Sequence, residues 1–332
     1  MQAIAPGKVI LSGEHAVVYG APALAVATRC HIHACFTPHS ADAVSLSGSL
    51  LDSAYSLSSL GPLKAQLDQR FDAFSAGTLA IDAVLDSPDQ LIAYVLASQQ
   101  FCCSGELRLH SELPTGAGMG SSAAAIAVTL VMAEALMQQQ GGQPLSAEQR
   151  FTLIRYCERL QHGRGSAIDA AAVTFGGLVR VESDQVTSLD CALGEGWYRV
   201  STGTPSVSTG HCVQQVRSTF AQSAIWADFH QVTDQLQAAL GQPDLVHTAV
   251  RHNHRLLQRI GVVPMTVAGF IEAAEQLGAS AKISGAGAVA GDCGGQVLLY
   301  APGLDISPLC AAFNYPYFPL QEDPQGARRI SD

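Results

Sequence analysis

The residues of this chain that could do chemistry collect in two short stretches. In the first, PTGAGMGSSAAA at 114 to 125, Gly116, Gly118 and Gly120 stand between an alternating segment and a long apolar run. Glycine there lets the backbone approach a ligand and adopt positive φ. Ser121 and Ser122 follow where the free N–H groups and positive dipole end of a helix favour an anion. Strand 106–113, glycine loop and helix 121–138 together read as a phosphate cradle. A Walker loop is excluded, because no lysine follows the glycines. Gly118, Gly120 and Ala123 meet the relaxed GxGxxA fingerprint, but its acidic residue about 20 positions on is missing, since Glu134 falls within the same helix. The plain alternative is a glycine turn that only caps a buried helix.

The second stretch is ERLQHGRGSAID at 158 to 169. Glu158 and His162 share one face near the end of a helix, where a carboxylate opposes the dipole and a cation would relieve the conflict. An exposed pairing with Arg155 or His162 explains Glu158 equally well from spacing alone. SAID at 166–169 is an [ST]xx[DE] capping box ahead of alanines 170–172, which accounts for Asp169 locally. Ser122 likewise has an ordinary use as a helix N-cap. Of the other pairs, His31 and His33 share a strand face and His252 and His254 lie in a polar helix. Neither brings the further Cys or carboxylate that a metal site wants, so both are expected to be structural or exposed.

The elements that must position these residues can be read coarsely. Strands are predicted around 9–11, 23–28 and 31–36, helix across 62–100 with a start signal at Ser87 and Pro88, then strand 106–113 and helix 121–138. After a polar break at 138–144, Ser146 and Gln149 form a capping box that opens a helix ending near Gly163. A strand follows at 177–182, and the mixed loop signals of 183–196 place a boundary between lobes 1–183 and 184–332. Strand runs followed by helix runs favour an α+β class over strict βα alternation.

Composition bounds the function. With 332 residues, 48% hydrophobic and 14% charged, the chain can bury large cores, and two lobes are the natural expectation. A net charge of -10 leaves no basic footprint for nucleic acid or an anionic membrane. Only Lys8, Lys64 and Lys282 are lysines, and Lys8 and Lys282 sit in motif-like segments. The nine cysteines include Cys102 and Cys103 but no CxxC, so they read as reduced, mostly buried thiols rather than a zinc site or disulfide framework. The start lacks a leader pattern, and the apolar run 123–137 is short for a bilayer and holds Glu134, so the expected location is cytoplasmic.

PTGAGMGSSAA, together with APGKVILSGEHAVVYG at 5 to 20, resembles the GHMP kinase family, most closely its mevalonate kinases. ERLQHGRGSAID, STGTPSVSTGHCVQQVR at 201 to 217, NHRLLQRIGV at 253 to 262 and KISGAG at 282 to 287 continue the resemblance, which thus spans residues 5 to 287. It implies a two-lobed α+β fold, an N-terminal lobe with the phosphate loop and a C-terminal α/β sandwich lobe. The implied reaction is ATP-dependent phosphorylation of the primary hydroxyl of mevalonate, with ATP as co-substrate and Mg2+. Pro114, Gly116, Ala117, Gly118, Gly120, Ser121 and Ser122 would surround the nucleotide phosphates, and Ser122 and Glu158 would bind magnesium. Asp169 would accept or orient the hydroxyl proton beside Lys8. Glu14, His15 and Thr209 are matched to the substrate, as are Gly285, Ala286 and Gly287.

The chain departs from the family at Gly165, where proline is frequent, at Ala167, where glycine is usual, and at Val289 and Asp292, which interrupt a glycine run. Asp292 is expected outside the phosphate shell, because a carboxylate beside a triphosphate is repelled. Phosphomevalonate, sugar or homoserine kinases of the same family remain alternatives, as does a silent metabolite sensor. The implied partners are small molecules, with neither nucleic acid nor membrane, and a homodimer is left open.

Overall fold

The computed structural model describes residues 1–49, 51–114 and 118–330. Gly116 and Ala117 of the expected cradle lie outside them.

The chain opens with β1 (Gln2–Ser12), buried at every position after Gln2. A 3₁₀ turn, Ala16–Tyr19, leads to β2 (Ala23–Pro38), which unites the two strands expected at 23–28 and 31–36. The unity is bought with a bulge: Pro6 faces His31 while Gly7 faces Thr28, so the two residues between are accommodated without ending the pairing. A hairpin of β3 (Ala43–Gly48) and β4 (Leu51–Ser56) follows, which the serine-rich sequence did not announce. The helical region expected at 62–100 is two helices, α1 (Leu60–Ser75) and α2 (Pro88–Ser98), the second starting where Ser87 and Pro88 predict. Then come β5 (Gly105–Ser111), α3 (Ser121–Gln138), α4 (Ala147–His162) and α5 (Ala167–Phe175). Ser146 and Gln149 close the predicted capping box on α4.

The first sheet runs β12-β1-β2-β5-β3-β4, where β12 (Arg328–Ile330) is the last strand of the chain. It is completed by β6 (Leu178–Glu182) and β7 (Gln185–Leu189), with β6 pairing to the first half of β2. The expected boundary at 183/184 therefore falls inside the β6–β7 turn, where Ser183 and Asp184 both have positive φ. The chain changes sheets after Leu189 and returns at β12.

The second sheet, β11-β8-β10-β9, is antiparallel throughout. It is built from β8 (Trp197–Ser201), β9 (Ser280–Ser284), β10 (Gln296–Tyr300) and β11 (Tyr317–Pro319). Between β8 and β9 lie α6 (Thr209–Phe220), α7 (Ile225–Ala239), α8 (Pro243–Arg259) and α9 (Met265–Gln276), and α10 (Ser307–Ala312) precedes β11. Sheets and helices in two layers give the α+β class expected.

α3 is the axis of the first lobe. Its 18 residues, which span the expected 121–138, are apolar enough to cross a bilayer by length and composition, yet most of the helix is buried. It packs against β1, β2, α2, α4 and α5. Its one acid, Glu134, accepts two hydrogen bonds from Arg150 at 2.8 and 2.9 Å and one from the Leu145 N–H, so even that charge is satisfied inside the protein.

The turn after β9 has no room for a side chain at Gly287. Gly287 has φ +63, and a Cβ there would lie 2.1 Å from the Val262 carbonyl oxygen, which already accepts from the Ala288 N–H. At Gly285, φ is +100 but the space is open. Gly285→Ala should therefore cost about 1–2 kcal/mol for the left-handed backbone alone, and Gly287→Ala distinctly more. Urea denaturation of both variants checks this; equal losses would mean that the Val262 contact relaxes freely.

Candidate active site

Lys8 lies on β1, and Asp169 in the first turn of α5. Lys8 Nζ is 3.1 Å from Asp169 Oδ1, with both side chains largely shielded from solvent. The local reason for the position of Asp169 is the expected cap: its N–H donates to Ser166 Oγ, which leaves the carboxylate free to face Lys8. The glycine loop closes on this pair. Lys8 N–H donates to the Met119 carbonyl at 2.9 Å, and Gly120, with φ +72, is the N-cap of α3. A Cβ on Gly120 would meet Lys8 Cγ at 3.1 Å and Asp169 Oδ2 at 3.5 Å. The glycine is thus needed for its backbone and also to leave the ion pair its place. Gly118 also has positive φ, whereas Pro114 is half-buried where the chain leaves β5.

Ser122 is not a cap. It sits on the second residue of α3 and donates through Oγ to Glu158 Oε1 at 2.9 Å, while Glu158 Oε2 accepts from the Ser166 N–H at 2.8 Å. The exposed pairing considered for Glu158 is absent: the side chain is buried, and Arg155 pairs with Asp184 instead. Burial, with the negative charge of Asp169 nearby, pushes the Glu158 carboxyl up to about 7 against the Ser122 and Ser166 hydrogen bonds. His162 stands 3.4 Å from Ser122 Oγ and is held below its ordinary value by burial. Ser121 is half-buried beside Ser122.

Whether a hard cation fits here can be judged from the charges. Two carboxylates, Asp169 and Glu158, face a region with one ammonium, and Glu158 has only neutral donors upon it. Ser122 Oγ and Glu158 Oε1, 2.9 Å apart, have the spacing of neighbouring ligands in an octahedron with bonds of about 2.0–2.1 Å. The donor set is oxygen only, and one or two protein oxygens suffice for magnesium beside phosphate. The residues fit the ion.

The GEHAVVYG segment is held by partners within the protein. Glu14 is buried, and one oxygen is ion-paired with Lys282 Nζ on β9, while Glu14 Oε2 has no partner among the described residues. His15 Nε2 bonds the Ala286 carbonyl at 2.9 Å, and the residue itself has φ +61, a strained conformation for histidine. Burial lowers its pKa, which favours the neutral ring that donates one N–H to that carbonyl. Gly285, Ala286 and Gly287 are therefore tied to His15 across the lobes. Ser284 Oγ adds reciprocal bonds with the Ile10 N–H and carbonyl. Thr209, exposed at the start of α6, lies three residues before Cys212, whose thiol donates to the Gly287 carbonyl at 3.7 Å.

The departures from the resemblance have local reasons. A Cβ at Gly165 would fall 2.1 Å from the Arg155 carbonyl oxygen, so close packing on α4 demands glycine there. Val289 packs against the core of the second sheet, and Asp292 accepts from Thr266 Oγ1 at 3.1 Å at the start of α9. One sequence expectation needs correcting: Glu112 reaches His31 and His33 from the adjacent strand end, supplying the carboxylate thought missing. His254 is buried, as expected of a structural histidine, with its pKa pushed down to about 4 by burial, Arg255 and Lys282. All nine cysteines are free as expected, but only Cys157, Cys212 and Cys310 are buried.

Glu158 generates a pH signature. Its folded pKa, about 7, lies above its ordinary 4.5, so its burial is tolerated at low pH and destabilises the fold progressively as pH rises from about 4.5 to 7. Without divalent ions, the melting temperature of the native chain should fall relative to Glu158→Gln across that window. Magnesium with ATP should narrow the gap by stabilising the ionised form. Parallel melting curves for the two proteins across the window would sink the idea.

Comparison with known proteins fits this geometry. Residues 89–177 match the family described as GHMP kinases N terminal domain. Mevalonate kinase of Bos taurus is 33% identical over 220 residues, covering 56% of this chain and 54% of that protein. Mevalonate kinase of Homo sapiens is 26% identical over 346 residues, covering 91% of this chain and 86% of that protein. Among solved structures, mevalonate kinase of Methanococcus jannaschii superposes with a TM-score of 0.76 at 18% identity, covering 100% of this chain and 98% of that one. Galactokinase of Lactococcus lactis complexed with galactose gives 0.72 at 16% identity, covering 99% and 95%. Residues 89–177 are thus similar to the GHMP kinase N-terminal domain, and the chain shares the fold of mevalonate kinases over its whole length.

Proposed function

We propose that this chain transfers the terminal phosphoryl group of ATP to the primary hydroxyl of mevalonate, giving 5-phosphomevalonate and ADP. The observation that carries a kinase reading is the Lys8–Asp169 pair packed against Gly120 at the mouth of the phosphate loop. The choice of mevalonate rests on relatives of that name, which align over most of the chain.

In this reading Asp169 accepts the hydroxyl proton as the oxygen bonds the terminal phosphorus, and the bond from that phosphorus to the bridging oxygen breaks with its electron pair leaving on ADP. Lys8 orients Asp169 and offsets negative charge beside the acceptor. Ser122 and Glu158 would hold magnesium, which when bound would neutralise charge on the triphosphate. Backbone N–H groups at Gly118, Gly120, Gly285 and Gly287 line the phosphates, and Ser121 and Pro114 shape the loop. His15 and Thr209, from opposite lobes, are the polar groups we assign to the carboxylate end of the substrate; Glu14 acts indirectly, by holding Lys282. The lobes divide between Leu189 and Trp197. The reaction is placed in the cytoplasm with small molecules as partners, apart from nucleic acid and membrane, and a homodimer is left open.

An ADP-release assay with mevalonate, phosphomevalonate, galactose and homoserine tests the substrate. Faster turnover of any of the last three refutes mevalonate, and no turnover of any refutes the kinase. Asp169→Asn should lower kcat by about 10²–10⁴ with ATP affinity retained, the usual scale for an acid–base group. Near-normal kcat would leave Asp169 only its place in the helix cap. Asp292→Ala, by contrast, should change the KM for MgATP by less than about threefold, under 1 kcal/mol; a loss of magnesium affinity with unchanged melting temperature would put Asp292 at the metal.

A further inference from the structure

Beyond α5, which covers the start of β2 over Ala23 and Ala25, the same face of the sheet is left half open. His31 and His33 project there from β2, and His31 stands opposite Glu112, which the chain places just past the end of β5. His33 Nε2 is 3.1 Å from Glu112 Oε1, and His31 Nδ1 is 3.9 Å from Glu112 Oε2. Ligand atoms of a tetrahedral ion with bonds of about 2.0–2.1 Å stand about 3.4 Å apart, between these two values.

The other ring nitrogen of His31 is already committed. Its Nε2 lies 2.6 Å from Oδ2 of Asp323, a buried carboxylate fixed by Arg328 and by the Gln325 N–H. A proton held between Nε2 and Asp323 leaves Nδ1 with its lone pair toward Glu112. That is the outer carboxylate arrangement which orients metal-binding histidines and raises their basicity. His33 and Glu112 are 39% and 44% exposed, so solvent can complete the coordination of an ion. Two imidazoles and a carboxylate suit zinc and its neighbours, and imidazole disfavours magnesium.

We propose that His31, His33 and Glu112 bind a single divalent ion of the zinc class, with Asp323 as the outer carboxylate that fixes His31. Such an ion would bind β2 and the end of β5 together and, through Asp323, anchor the segment that leads to β12. It takes no part in phosphoryl transfer.

The test is calorimetric titration of chelator-stripped protein with Zn2+ alone, in a buffer with a non-thiol reductant. One equivalent should bind to the native chain and raise its melting temperature. His33→Ala and Glu112→Gln should weaken binding tenfold or more, Cys30→Ser should retain it, and Asp323→Asn should weaken it roughly 10–100-fold. The melting temperature of each variant without metal reports whether it folds, and His33→Ala should keep its MgATP-dependent activity. Absence of a stoichiometric site in the native chain overturns the proposal. So does unchanged binding in His33→Ala, which would put the ion elsewhere, or loss in Cys30→Ser, which would assign it to thiols.

Discussion

The site depends on a shortage of positive charge. Asp169 and Glu158 are brought to one place by consecutive helices, and the protein supplies a single ammonium, Lys8, which goes to Asp169. Glu158 is left with a hydroxyl and an amide, donors that satisfy its geometry without balancing its charge. A buried carboxylate in that position raises its pKa and attracts a cation. An unbalanced buried charge of this kind lowers stability, and in the kinase reading proposed above a cation arriving with the nucleotide would offset that cost.

The second constraint joins the lobes. Lys282, fully buried on β9, pairs with Glu14 from the loop after β1, and the next residue, His15, bonds Ala286 just beyond β9. A buried ion pair gains little net stability, but losing one member strands the other and costs about 3–5 kcal/mol. Its value is in register. Ser12 with Thr233 and Asn253, and Ser284 with Ile10, extend the same polar seam, so β1 and β9 are held in a fixed relation. Stacking of Tyr19 on Trp226, with ring centroids 4.1 Å apart, closes the outer side of the seam.

Much of this was legible in the sequence, for reasons that differ by residue. α3 was readable to the residue because an unbroken apolar run follows the glycines, and the caps at Ser146 and Ser166 because their spacing is local chemistry. The pairing of Lys8 with Asp169 depends on contacts 161 positions apart, the difference of the two residue numbers, and only the resemblance suggested it. Glu158 looked like a surface residue, since helical spacing reports neighbours on one helix but not the helix that covers them. The β3–β4 hairpin escaped because its exposed face is serine-rich, and the metal-type cluster because Glu112 lies 79 residues from His33. Turn signals at 183 and 184 mark a hairpin, β6 to β7, as readily as a change of sheet, and the chain leaves the first sheet after Leu189.

Gly120 shows why the site resists drift. Its positive φ sets the first turn of α3, its missing side chain admits the Lys8 stem, and the carbonyl before it, from Met119, fixes the Lys8 backbone. Any larger residue would need a left-handed backbone and would press on both members of the ion pair. The glycine loop and the Lys8–Asp169 pair are thus one packed object, in which a change that improved the loop as a simple helix cap would displace the groups beside it. Because β1 and α3 are buried on nearly all sides, that displacement has nowhere to relax. The ion pair is held by the core, and its residues are specified as strictly by packing as by charge.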